Sequence, residues 1–395
     1  MRGLFASTCP PRQWRVTALE LGPGGLRAAE LSWLLACQNA ADLADRPGEP
    51  PASPAELRGL LVPPYRGQRM LFAATDEAGG AAGWARLGLY EAFHRELAHA
   101  AITVHPSARR CGVGSALLDA LTEAARALHR SRLVLDAPRT RASEAFAARH
   151  GLFIAGRDLR SRLDLRGIEV RGDEVAGSGF AGSEFRGNAS HKHVTAIVQA
   201  VEGPGPQHAR SRHARPAPDD GLQALHWKSR CPDDFLPGYV EALDCLHAAP
   251  TTAVPKPAGA MAALTSGPSP TPAPFSPFTC AEVRHRENAA MQAGLREYTA
   301  CLIDRTTGRI AALSSAHTAD GLRGEQNETV VVPEFRGRGL AVRIKAQLIR
   351  ELMAAEPSLT MLDTYNAVDN HRMLAVNRRL GFRPIDTHAA WTLAL

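Results

Sequence analysis

The stretch Val104-His-Pro106-Ser-Ala-Arg109-Arg-Cys-Gly112-Val-Gly114 returns 227 residues later as Val331-Val-Pro333-Glu-Phe-Arg336-Gly-Arg-Gly339-Leu-Ala341. Both copies fit V-x-P-x-x-R-x-x-G-x-(G/A). Each follows an apolar, strand-like run, AHAAITVHP (98–106) or ETVVVP (328–333), and a proline ends that run because it cannot donate to a ladder. Each leads into a helical pattern. In the first, at 113–128, Leu117, Leu118, Leu121, Ala125 and Leu128 share one face; the second spans 339–355. A strand that turns through glycine into a helix gathers several backbone N–H groups in one concavity. The unpaired donors and the dipole of the helix start favour an anion there. Gly112, Gly114, Gly339 and Ala341 lack bulk, and Arg109, Arg110, Arg336 and Arg338 add planar cations suited to phosphate. The pattern predicts a pyrophosphate-bearing ligand. No Gly-Lys-(Ser/Thr) follows either loop and neither has G-x-G-x-x-G spacing, so ordinary nucleotide loops are excluded.

Working outward, the flanking elements repeat as well. The first half predicts a strand at 14–21, helices at 25–41 and 55–61, and strands at 69–75 and 82–90. Past the loop and its helix come a strand at 132–137, a helix at 141–149 ending at Gly151, and strands at 152–156 and 159–165. The second half predicts a strand at 222–228, helices at 233–247 and 280–293, and strands at 297–304 and 309–316. Past its loop and helix come a strand at 359–364, a helix at 369–380 ending at Gly381, and closing strands. Gly- and Arg-rich sequence at 169–221 reads as a linker, with one strand-like run at 193–202, and 251–278 reads as a Pro-rich insertion. The expectation is an α/β (α+β) protein of two repeats, 1–168 and 222–395, each a mixed, mostly antiparallel sheet flanked by helices.

Composition agrees with two packed domains: 395 residues, 45% apolar and 22% charged. No apolar run approaches ~18 residues, the length needed to span a bilayer, and the start lacks a signal-type apolar region. The net charge of +6 comes from 46 basic residues, of which only Lys192, Lys228, Lys256 and Lys345 are lysine. With so much Ala, Gly and Pro, GC-rich codon usage accounts for the arginine. No aromatic-and-basic interleaving makes a case for nucleic acid. Seven widely spaced cysteines without CxxC predict neither disulfides nor zinc, and reduced cytoplasmic thiols are the simplest reading. His191, His193, His208 and His213 have no companion ligands, so no metal is expected.

The two loops, together with the helix that starts at Asn370 and ends in Gly381-Phe382, resemble the GNAT superfamily of acetyl-CoA-dependent N-acyltransferases. The likeness covers about 70–168 and 222–395. The tandem arrangement is similar to actinobacterial double-GNAT proteins, a class that includes mycothiol synthase, although no motif singles out that enzyme. The resemblance implies that the loop amides cradle the CoA pyrophosphate. The residues concerned are Arg109, Arg110, Cys111, Gly112, Val113 and Gly114 in the first repeat, and Arg336, Gly337, Arg338, Gly339, Leu340 and Ala341 in the second. It implies that the preceding strand, up to Val104 or Val331, splays from its neighbour and pairs with the pantetheine arm. A backbone N–H there would polarise the thioester carbonyl.

The resemblance also implies a carboxylate for the amine proton, eleven residues before the loop arginine. That position is Glu325 in the second repeat, with Glu328 as a rival, and Ala98 in the first, where Glu96 and His99 are the nearest substitutes. Each of these can equally be a solvent-facing residue at a strand start. The tyrosine that the family often carries near the end of its last helix, as acid for the leaving thiolate, is absent: Asn377 and Ala147 stand there. Asn377 can donate a hydrogen bond, and Tyr365 is either a substitute acid or a packing residue. Asn370 is either near the cofactor or a helix cap. The fuller second repeat is therefore the expected catalytic half. The expected activity is acetyl transfer from acetyl-CoA to the primary amine of a small molecule by a monomer or homodimer. The alternative is a non-catalytic CoA-binding or scaffold module.

Overall fold

The computed structural model describes residues 14–21, 26–62, 67–90, 95–166, 221–245, 277–319 and 321–395. The expected linker, its strand-like run and all but the end of the Pro-rich insertion lie outside the described residues. The chain divides into two compact units, and the division departs from the expected cuts at 168 and 222. Unit one takes Met1–Gly156 with His388–Leu395, and unit two takes residues from Arg157 to Thr387.

In unit one, β1 (Arg15–Leu19), β2 (Gly67–Thr75), β3 (Ala81–Tyr90), β4 (Leu97–Val104) and β5 (Arg132–Pro138) lie side by side in that order. The far edge is taken by the chain's last strand, β12 (Arg383–Ala394), whose residues His388–Ala394 run antiparallel to β5. All pairings are antiparallel except β4 with β5. Helix α3 (Val113–Ala127) places Val113, Leu117, Leu118, Leu121 and Ala125 on one face of the sheet, as its apolar stripe dictates. Helices α1 (Ala28–Asp45) and α2 (Pro54–Leu61) cover the other face, with Leu34, Cys37, Leu57 and Leu61 against Leu71 and Trp84. Helix α4 (Arg141–Arg149) follows β5.

Unit two repeats the plan. Strands β7 (Leu222–Lys228), β8 (Arg296–Asp304), β9 (Ile310–Thr318), β10 (Arg323–Val331) and β11 (Met361–Ala367) are consecutive neighbours. Its far edge is filled by β6 (Phe153–Asp164), whose residues Asp158–Asp164 pair antiparallel with β11. Helices α5 (Leu236–Asp244) and α6 (Cys280–Gln292) cover one face, and α7 (Leu340–Ala355) buries Leu340, Ile344, Leu348 and Leu352 on the other. Helix α8 (His371–Arg379) precedes β12.

The two strands expected at 152–156 and 159–165 are one continuous strand, and the closing strands are likewise one. Each twelve-residue strand passes the unit boundary partway, so each unit receives its edge strand from the other half of the sequence. No helix among the described residues is long and apolar enough to cross a membrane.

Candidate functional site

Helices α2, α4, α6 and α8 start on a side chain that caps them: Ser53, Thr140, Thr279 and Asn370. The two helices that follow the repeated loops do not. Each begins at a left-handed glycine with no side-chain cap, Gly112 (φ 90°) before α3 and Gly339 (φ 72°) before α7. Among the described residues, the amides of Gly112, Val113 and Gly114, and those of Gly337, Gly339, Leu340 and Ala341, donate to no backbone carbonyl. Both loops thus hold a set of unspent donors at a helix start, which suits a diphosphate.

The loops differ in what surrounds them. Arg109 is committed: its two Nη atoms meet Asp45 of α1 at 2.7 and 2.9 Å, and its Nε donates to the Val104 carbonyl at 3.3 Å. The Trp14 indole N–H donates to the Cys111 carbonyl at 2.6 Å, and its ring lies 3.8 Å from where a Cβ on Gly112 would stand. A Cβ on Gly114 would meet the Phe146 ring at 3.0 Å, so its smallness also makes room for that side chain. In the second loop Arg336, Gly337, Arg338 and Gly339 are exposed, and a Cβ on either glycine would meet nothing within 4 Å. Among the described residues Arg336 reaches only the Val331 carbonyl, through its Nε at 3.1 Å, and its two terminal nitrogens are placed to meet a ligand.

Both strands before the loops part from one neighbour. β4 pairs with β5 over Leu97–Ala100, and β10 pairs with β11 over Arg323–Gln326. Beyond those points each keeps only its other partner. β10 also carries a bulge between Gln326 and Thr329, which β4 lacks. The extra residue moves the counterpart of Glu325 by one, from Ala98 to His99, and turns Glu325 to the α5–α6 face. Ala98 is a core residue against α3, Glu96 is exposed, and His99 packs edge-on against Tyr90 with ring centroids 5.2 Å apart.

Across the bulge end of β10 a row of ionisable residues spans unit two: Glu297 opposite His317, His317 opposite Glu325, Glu325 opposite Asp363, and Asp363 opposite Arg162. Arg162 grips Asp363 through two bonds of 2.6 and 2.7 Å. Glu328, on the same face, accepts from the Ser315 hydroxyl at 2.6 Å and faces the Arg286 guanidinium of α6 at 3.3 Å, which also lies 3.8 Å from Glu297. Burial works against the Glu328 carboxylate, but Arg286 and Ser315 outweigh it and hold its pKa below the ordinary range. Burial wins at Glu297 and raises its pKa, despite Arg286 and His317. Opposed shifts in neighbouring carboxyls are a device for acid–base work. Glu297, Arg286 and His317 were missed by sequence reading; their signal was register, which no local motif carries.

On the α7 face, Asn377 is buried. Its Oδ1 accepts from Lys345 Nζ at 2.5 Å and its Nδ2 donates to Asn366 Oδ1 at 2.6 Å. Lys345 otherwise meets the Met373 sulfur and the Phe382 ring, and burial pushes its pKa down to about 7. The matching positions in unit one, Leu118 and Ala147, are apolar core. Lys345 was not singled out from sequence, because it sits in the apolar stripe of an amphipathic helix. Asn370 caps α8 by accepting from the Met373 amide at 3.1 Å. Tyr365 lies at the splayed end of β11, opposite Arg160. No group of three His, Cys, Asp or Glu among the described residues is placed to hold a metal ion.

Residues 38–152 match the acetyltransferase (GNAT) family. No curated protein matches the chain. Among solved structures, the chain is similar to a tandem GNAT protein from the clavulanic acid biosynthesis pathway at 21% identity and TM-score 0.68, covering 97% of this chain and 98% of that one. It is similar to a GCN5-related N-acetyltransferase from Sphaerobacter thermophilus at 14% identity and TM-score 0.58, covering 96% and 95%. A more distant likeness is Saccharomyces cerevisiae N-myristoyltransferase with bound myristoyl-CoA, at 9% identity and TM-score 0.52, covering 99% and 79%. These likenesses establish the fold over nearly the whole chain.

Proposed function

We propose, from the match of residues 38–152 to the acetyltransferase (GNAT) family and a fold like that of a tandem GNAT protein, that this chain moves the acetyl group of acetyl-CoA to the primary amine of a small molecule, in its second half. One observation carries the choice of half. The exposed, uncapped glycine loop of unit two opens beside a strand that leaves its neighbour at Gln326, with carboxylates on the face across the opening. The amides of Gly337, Gly339, Leu340 and Ala341, with Arg336 and Arg338, hold the diphosphate. The free edge of β10 from Thr329 to Val331 pairs with the pantetheine amides, and an N–H there stabilises the oxyanion formed as the amine attacks. Glu325, which stands between His317 and Asp363 in the row across the sheet, takes the amine proton. The C–S bond then breaks and the thiolate leaves, with Asn366 and Asn377 as nearby hydrogen-bonding groups.

A second reading places turnover in the first half, because the family match falls there and its loop amides are unspent. Calorimetric titration with acetyl-CoA separates the two. One site, lost in Gly339→Glu and kept in Gly112→Glu, is the expected result. The reverse pattern supports the second reading, and no binding to the wild type removes the acetyl-CoA premise. With an acceptor in hand, Glu325→Gln lowers kcat by roughly 10²–10⁴-fold. Glu328→Gln, by contrast, acts mainly on stability.

A further inference from the structure

Around the gap between β10 and β11, on the α7 face, unit two carries Ser314, Gln326, Thr329, Lys345, Asn366 and Asn377. Matched by register, loop and helix-end glycine, their counterparts in unit one are Ala85, Ala100, Ile102, Leu118, Ala137 and Ala147. All of those lie in or against one apolar core. The fold therefore needs none of these positions to be polar. Burying polar groups costs stability, and a buried lysine costs most. Such departures are retained at functional sites.

The polar residues of unit two are wired in two chains. On the β9–β10 side, Gln326 Nε2 donates to Ser314 Oγ at 3.0 Å, and Ser314 shares a hydrogen bond of 2.8 Å with Thr329. Gln326 is the last residue of β10 to pair with β11, and its buried Oε1 has no partner among the described residues. On the other side Lys345 sets the direction of every bond. An ammonium only donates, so Asn377 turns Oδ1 to it and Nδ2 away. Asn377 Nδ2 donates to Asn366 Oδ1, which leaves the Asn366 N–H groups at the open end of the chain. Asn366 is half-buried and follows Thr364, the last β11 residue that β10 reaches.

We infer that Lys345 is a positioning residue for the leaving group: through Asn377 it fixes Asn366 so that an Asn366 N–H donates to the sulfur of CoA. This deepens the proposed acetyl transfer and rests on it. The amine nitrogen bonds the carbonyl carbon, the C–S bond breaks with its electron pair left on sulfur, and the thiolate departs hydrogen-bonded to Asn366. The amine proton goes to Glu325, and Lys345 keeps its own. A neutral lysine accepts as well as donates, so the chain loses its direction if that proton is lost. Burial is the one pull on it, and the thiolate's charge opposes that pull. Other titratable groups stand apart. Arg296 and Tyr298 of β8 bond Glu356 past the end of α7, and α8 carries His371, Arg372, Arg378 and Arg379 on its exposed side.

The test uses CoA and desulfo-CoA, which lacks the sulfur, on the wild type, Lys345→Met and Asn366→Ala. Calorimetry establishes binding of each. The ultraviolet absorbance of the thiolate, taken as the difference between the two complexes, is then followed against pH. In the wild type the bound thiol is expected to titrate at least about one unit below the ~8.5 of an ordinary thiol, a tenfold or greater preference for thiolate. In both variants desulfo-CoA binds as in the wild type and the shift is gone. A wild-type thiol that titrates as in free CoA overturns the inference, as does either variant that keeps the shift. So does a Lys345→Met protein that no longer binds desulfo-CoA, which would make Lys345 a structural residue. Failure of the wild type to bind either compound removes the acetyl-CoA reading itself, and this inference with it.

Discussion

Lys345 sits where unit one has Leu118, and Asn377 where it has Ala147. The exchange puts an ammonium among apolar side chains with one amide oxygen, a sulfur and a ring for company. Its folded pKa, about 7, lies below the ordinary 10.5, so the unfolded chain binds more protons between those values. Stability contributed by this group therefore rises as pH rises from 7 toward 10.5, and below 7 the penalty is constant. At ~1.4 kcal/mol per unit the penalty is several kcal/mol. Lys345→Met is expected to be more stable than the wild type at pH 7, with a gap that narrows by pH 9.5; denaturant unfolding at the two pH values measures it. A gap independent of pH would mean that Lys345 is not buried as a cation. Arg286 behaves oppositely, because it neutralises two buried carboxylates. Arg286→Met strands both and costs about 3–5 kcal/mol, the usual consequence of removing one partner of a buried pair.

At the scale of elements, the loops and their helices were legible because glycine, proline and the 3.6-residue stripe are local signals. Register was not. The bulge in β10 adds one residue, so a comparison of the repeats by sequence alone sets Glu325 against Ala98 when its structural counterpart is His99. Gly114 carries a packing demand that its motif does not reveal: a Cβ there would strike Phe146 at 3.0 Å. Gly114→Ala is therefore expected to cost about 1–3 kcal/mol by overpacking, and Phe146→Leu in the same chain should recover part of it. Ala341→Gly, at the matching place in α7, loses only helix propensity, at most ~1 kcal/mol. Chemical denaturation of the three variants is the check. A neutral Gly114→Ala would mean that the Phe146 ring yields to the added methyl.

At the scale of the molecule, the repeat was visible in sequence but its boundaries were not. A cut after 168 and before 222 follows composition, whereas the edge strands follow pairing. β5 needs His388–Ala394 from the end of the chain, and β11 needs Asp158–Asp164 from the end of the first half. A fragment spanning 1–168 leaves β5 with an open edge and exposes the apolar side of Leu133 and Leu135 that Trp391 helps to cover. A fragment spanning 222–395 leaves Asp363 without the two bonds from Arg162, a buried carboxylate stripped of its cation. Each fragment alone is expected to be aggregation-prone and to lack a cooperative melt. Equimolar mixing during refolding should restore a single folded species, because each fragment carries the strand the other lacks. Circular dichroism melts and size-exclusion chromatography of the separate and mixed fragments decide it. Two fragments that melt cooperatively alone would show that each half can close its sheet with its own last strand, and that the exchange is a choice made between two nearly equal pairings.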